Sequence, residues 1–255
     1  MIPGPATPRL FFTLGRLARW ALIALLLPPT AFVGWLWLSM PDVTEYASKF
    51  PERTSLMRHR EAEYARKKEK VKTSYRPVRL RAISPNLRAA VIASEDANFY
   101  GHRGFDFEGI SEALEKDVDA GKPLRGGSTI TQQLAKNLYL TPKKSIIRKV
   151  REAAIAKRLE EKLSKDRILE LYLNVAEWGR GIYGCEAASR HWFSKTCVDL
   201  SPREAALLAA ALPAPRKFNP QKKNSRAWRR HEKIIGWLCL GRKIPESECG
   251  GMTDD

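Results

Sequence analysis

An uncharged apolar run from Trp20 to Ser39 (WALIALLLPPTAFVGWLWLS) constrains this chain more than any other stretch. It has the roughly 20 residues a helix needs to cross the hydrocarbon core of a bilayer. Pro28-Pro29 would kink such a helix, which a membrane tolerates better than water does. Trp35 and Trp37 fall where an interfacial aromatic belt forms, and Arg9, Arg16 and Arg19 ahead of the run favour a cytoplasmic N-terminus. A cleaved signal peptide is the competing reading. It is the weaker one, because the run is long and SMPDV, which follows, lacks a small-x-small cleavage pattern. The expected layout is residues 1–19 in the cytoplasm, a transmembrane helix over 20–39, and residues 40–255 outside, on a single-pass protein of the inner (cytoplasmic) membrane.

What remains is enough for one domain of about 200 residues. With 44% hydrophobic residues the chain can bury a sizeable core, while 45 Lys+Arg against 28 Asp+Glu leave a formal net charge of +17. Such an excess points to a polyanionic partner: nucleic acid, anionic lipid or a phosphorylated substrate. Four cysteines are too few for a disulfide framework, and none has zinc-ligand spacing. In an oxidising compartment Cys185–Cys197 and Cys239–Cys249 could pair; unbridged burial is the equal alternative.

Residues 40–74 and the basic run RHREAEYARKKEKVKTSYRPVRL that begins there read as a juxtamembrane stalk, its charge facing solvent or lipid headgroups. A domain is expected over 75–240 and a tail over 241–255. Helix signals follow one another through the domain. Ser84-Pro85 precedes NLRAAVIASED, Ser128 can cap STITQQLAKN, Thr141-Pro142 precedes a long segment running to Leu163, and Ser164 can cap KDRILELYLN. Ser201 to Glu204 forms a capping box before AALLAAAL, which Pro213 stops. Alternating strands are almost absent, so the fold class is mainly α, without internal repeats.

Four segments carry chemistry. In the first, Glu95 and Asp96 end an apolar helix and lead into Phe99, His102 and Gly104, a composition that suits a cleft wall where one carboxyl becomes a base. Acids at a helix C-terminus oppose its dipole, so they need a reason to be there. In the second, Gly126-Gly127 precede Ser128, and Thr129, Gln132, Gln133 and Lys136 form one polar helical stripe, with Ile130 and Leu134 turned to the core. Glycines ahead of a helix let a phosphate approach backbone N–H groups. In the third, Arg148 and Glu152 share a helix face with Lys149 beside it; as a surface ion pair it is worth only about 0.3–0.5 kcal/mol. The fourth, from Lys165 through Tyr172 and Asn174 to Trp178, Arg180 and Gly184, is dominated by apolar residues and reads as scaffold.

Together EDANFYGHRG, GGSTITQQLAKN, RKVRE and KDRILELYLN, in this order and spacing, resemble the biosynthetic peptidoglycan glycosyltransferases of glycosyltransferase family 51, in their monofunctional single-span form. The resemblance covers roughly residues 75–237. No Ser-x-x-Lys occurs, so no transpeptidase is implied. The family's Arg-Arg motif is matched loosely by Arg229-Arg230. The resemblance implies a lysozyme-like helical domain that polymerises a lipid-linked disaccharide-peptide (lipid II) into β-1,4 glycan with release of polyprenyl diphosphate. It also implies a divalent cation, magnesium or else manganese. Its partners would be lipid II, the growing lipid-linked glycan, membrane lipids and other cell-wall synthesis proteins, with no nucleic acid. Glu95 would be the catalytic base and Glu152 the second catalytic acid, orienting Arg148 or holding the metal. Lys136, Arg148 and Lys149 would face the diphosphate; Asp96 would tune Glu95. Phe99, His102, Ser128, Thr129, Gln132, Gln133 and Asn137 would bind substrate. Residues 105–125 read as a mobile flap over the cleft. A lysozyme-like hydrolase or lytic transglycosylase, and a non-enzymatic basic membrane protein, are the rival readings.

Overall fold

Pro28 and Pro29 do not end the first helix. In the computed structural model, which describes residues 9–109, 111, 127–220, 222 and 225–249, α1 runs unbroken from Arg9 to Leu38. The prolines remove two N–H donors, and in the turn they weaken the Thr30 hydroxyl donates to the Leu26 carbonyl at 2.8 Å. Its portion Arg19–Leu38 is long and apolar enough to cross a membrane, with a mean hydropathy of 1.9. The chain divides into two compact units at Pro41/Asp42, the second being the domain.

The domain is helical because capping residues punctuate it. The helices are α2 (Ser55–Arg66), α3 (Pro85–Glu95), α4 (Ile130–Tyr139), α5 (Ile146–Lys162), α6 (Lys165–Val175), α7 (Cys185–Phe193), α8 (Pro202–Ala211) and α9 (Arg226–Leu240). Side-chain oxygens of Ser164 and Ser201 cap α6 and α8, the latter within a full capping box, as their sequence promises. Elsewhere the caps move. The α4 cap is Thr129, not Ser128, because Thr129 is the residue whose hydroxyl accepts the N–H of Gln132 while Ser128 turns to Lys149. Thr141-Pro142 stays outside any helix, and Ser145 caps α5 instead. Ser84 makes no cap bond; its hydroxyl donates to the Leu200 carbonyl.

The apolar stripes of α3 and α9 close on α8, while α4 packs between α5 and α6. α6 is buried from Arg167 to Val175 and is the axle of the domain. A small sheet joins β1 (Ser74–Tyr75), β3 (Ile182–Tyr183) and β2 (Glu177–Gly179) in that order, β1 parallel and β2 antiparallel to β3. Gly184 links β3 to α7 at φ +82°, where a Cβ would stand 2.6 Å from the Asn174 carbonyl oxygen. Only glycine fits there.

The expected stalk is a correction. Val43, Met57 and Tyr64 are buried, α2 packs on α4, and β1 belongs to the sheet. Arg60 is turned inward to pair with Glu177 at 3.1 Å. Apolar residues scattered among the charges are enough to dock this segment. The expected tail is shortened likewise, since Cys239 and Cys249 are bridged and Ile244 is buried. Cys185 and Cys197 are buried and unbridged.

Candidate active site

Asp96 explains why acids end α3. Its backbone leaves the helix (φ −166°) and carries its carboxylate to the start of α4, where Oδ2 accepts the Ile130 N–H at 2.9 Å. A carboxylate opposed by one helix dipole is thus favoured by another. Its Oδ1 lies 2.8 Å from His102 Nε2, and because the Gly104 N–H donates to Nδ1, the His102 proton sits on Nε2. Phe99 is fully buried against Tyr100 and His102. The Thr129 hydroxyl donates to the Gly104 carbonyl at 2.8 Å. Asp96, Phe99, His102 and Thr129 therefore clamp α3 to α4. Phe99 and His102 are buried in this clamp, while Asp96 and Thr129, though buried, also line the pocket that holds Glu95.

Glu95, beside Asp96 in the same pocket wall, has partners of its own. Its side chain is 11% exposed. Oε2 accepts the Gln133 amide at 2.9 Å and Oε1 accepts the Arg230 guanidinium at 2.7 Å. Burial raises the Glu95 pKa above the usual carboxylate range; Gln133, Arg230 and Lys136 pull it back in part, and Asp96 adds to the rise. The other end of the Gln133 amide accepts the Tyr172 hydroxyl at 3.0 Å. Glu95, Ser128 and Asp106 line a pocket of about 210 Å³. Gln133, Lys136, Asn137, Lys144, Arg148 and Tyr172 line one of about 290 Å³. The Glu95–Gln133 hydrogen bond connects residues of the two pocket walls.

The cations gather around the second acid. Glu152 is 3% exposed, with Arg148 on Oε2 and Lys149 on Oε1, the latter at 2.5 Å. Lys149 also donates to Ser128 Oγ at 3.0 Å and Gln132 Oε1 at 3.4 Å. Burial lowers the Lys136 pKa; Glu152 opposes this, Arg148 and Lys149 add to it, and Glu95 opposes it again. Lys136 thus feels both acids, so Glu95 and Glu152 belong to one electrostatic site.

The fold has placed the four sequence segments around one acid and one cationic cleft. A profile of the transglycosylase family matches residues 61–238. The chain belongs to the transglycosylase family. It is 46% identical over 201 residues to a biosynthetic peptidoglycan transglycosylase of Azoarcus sp. (strain BH72), covering 78% of this chain and 87% of that one. To the protein of the same name in Neisseria meningitidis serogroup C it is 41% identical over 233 residues, 91% and 98% of the two chains.

Two residues of this transglycosylase domain escape a reading of the sequence. Tyr172 lies in a segment whose apolar pattern marks it as scaffold, yet its hydroxyl holds Gln133. Arg230 carries only a loose motif, yet it is the cation on Glu95; an Arg-Arg pair opening an aliphatic helix is the sole signal. Trp178 is core, and Arg180 pairs with Glu69. Of the expected flap, residues 110 and 112–125 lie outside the described residues, as does Gly126 of the second segment. A divalent cation here would take most of its ligands from substrate phosphates and water rather than from the protein. Among the described residues no three acidic, His or Cys ligands cluster, and both Glu152 oxygens already carry a cation.

Proposed function

We propose that this transglycosylase polymerises a lipid-linked disaccharide-peptide (lipid II) into β-1,4 glycan strands on the outer face of the cytoplasmic membrane. α1 would anchor it there with the N-terminus inside, as Arg9, Arg16 and Arg19 favour. The observation that carries the reading is a desolvated carboxylate, Glu95, next to a cleft whose lining is mostly cationic where charged, with Lys136, Lys144 and Arg148 among its residues, and with Lys149 reaching Ser128 beside the first pocket.

The incoming 4-hydroxyl gives its proton to Glu95 as its oxygen attacks the anomeric carbon of the growing strand. The bond from that carbon to the diphosphate breaks with inversion, and the electron pair leaves on the diphosphate. Burial makes Glu95 a stronger base than a solvated carboxylate, while Arg230 and Gln133 hold it in place and leave oxygen lone pairs for the hydroxyl. A diphosphate leaves as an anion and needs positive charge rather than a proton. Lys136 and Arg148 supply it, Arg148 through a guanidinium suited to two phosphate oxygens at once. Glu152 holds Arg148 and Lys149 in register. A hydrolase acting on finished glycan has no such leaving group and no use for this cluster.

The test is polymer synthesis by the purified full chain on lipid II in detergent or vesicles. New glycan should form, and Glu95→Gln should slow it by about 10²–10⁴-fold with the helical spectrum unchanged. Shortening of preformed glycan instead of new polymer would make the protein a hydrolase, and undiminished synthesis by Glu95→Gln would remove Glu95 from the reaction.

A further inference from the structure

Away from the active site, Cys185 opens α7 and Cys197 opens the turn Cys197–Asp199; both side chains are fully buried, α7 packs on that turn, and Cys197 is among the groups that raise the Cys185 thiol pKa. The backbone holds them in register. Glu186 Oε2 accepts the Cys197 N–H at 2.7 Å, and the Ser189 hydroxyl donates to the Thr196 carbonyl at 3.0 Å. Cys239 and Cys249 are already joined. The four cysteines of the chain thus comprise one bridged pair and one pair on adjoining segments, a pattern that suits a domain folding where thiols are oxidised.

We propose that Cys185 and Cys197 form a second disulfide in the mature protein. This rests on the placement of the domain outside the cytoplasm. The cross-link would lie where it matters to catalysis. The Cys197 carbonyl accepts the Ser84 N–H at 3.2 Å, and the Leu200 carbonyl accepts the Ser84 hydroxyl and the Asn86 amide, each at 3.1 Å. The turn carrying Cys197 therefore seats the first residues of α3, whose last residue is Glu95. Joining that turn to α7 ties the base-bearing helix to the rest of the domain.

The bond forms by exchange with a disulfide-carrying oxidant protein of the compartment. One cysteine thiolate attacks a sulfur of the donor, giving a mixed disulfide. The second thiolate displaces the donor, which leaves as a dithiol, and the two thiol protons are released or passed to it. Burial pushes the Cys185 thiol well up, so thiolate is scarce in the finished fold. Oxidation belongs to the incompletely folded, exported chain. A domain folded in a reducing compartment would keep its dithiol trapped.

The full chain is purified from membranes of the expressing bacterium, denatured with an alkylating agent, digested without reductant and mapped by mass spectrometry. A peptide linking Cys185 to Cys197, with neither alkylated, is expected. Alkylation of both, with the Cys239–Cys249 bridge intact, overturns the proposal alone. Alkylation of all four overturns it together with the extracytoplasmic placement. In a Cys239→Ser/Cys249→Ser variant, heating in excess reductant should still lower Tm relative to heating without it; an unchanged Tm overturns the proposal as well.

Discussion

Glu95 is asked to be both ionised and reluctant to be so. Burial raises its pKa while Arg230 is one of the groups holding it down, so the acidic limb of the pH–rate profile should lie above the ordinary carboxylate value of 4.5. Arg230→Gln removes a stabilising cation and should move that limb to higher pH; a limb that stays put would show that Arg230 does not tune the base. Stability should respond in the opposite sense to activity. A carboxyl whose pKa is raised by folding contributes stability that is present below its unfolded value of 4.5 and lost as pH rises through the folded one. Glu95→Gln, slow in catalysis, should therefore match the parent Tm in acid and exceed it at neutral pH. Thermal melts across that range check the crossover.

At the scale of elements, the site depends on how α3 meets α4. Asp96 leaves one helix to cap the next, and Thr129 caps α4 while bonding the Gly104 carbonyl. Thr129→Ala loses the cap and strands a buried carbonyl, a cost of about 2 kcal/mol. For a domain of this size that is roughly 4–8 °C in Tm. Thr129→Ser keeps the hydroxyl and should retain most of the stability. Equal Tm losses in both variants would mean that the methyl group, not the hydroxyl, matters. The helix starts were legible from Ser, Thr and Pro to within a few residues. Their exact caps were not, because neighbouring hydroxyls compete for one N–H and tertiary partners such as Lys149 and Leu200 decide between them.

The whole molecule is an apolar helix followed by a domain with its own core. A chain beginning at Asp42 should melt at the same temperature as the parent, since the described residues of that core run from Val43 onward. Its polymerisation rate on lipid II held in vesicles should fall, because enzyme and substrate no longer share a surface that concentrates them. In detergent solution the difference should shrink. A truncated chain that fails to fold would make α1 part of the domain.

Composition and periodicity alone established an apolar span and a basic, mainly helical domain, because helix caps, apolar stripes and charge excess act over a few neighbouring residues; the segments proposed to carry its chemistry gained their roles from the family resemblance. Only the tertiary structure decided which way each polar side chain turns. Asp96 and Glu95 are adjacent and chemically alike, yet one clamps two helices and the other is held by Gln133 and Arg230. Arg230 reaches Glu95, and Tyr172 holds Gln133, across long stretches of sequence. Those contacts exist because α9 and α6 pack beside α3 and α4, and no local pattern encodes such packing.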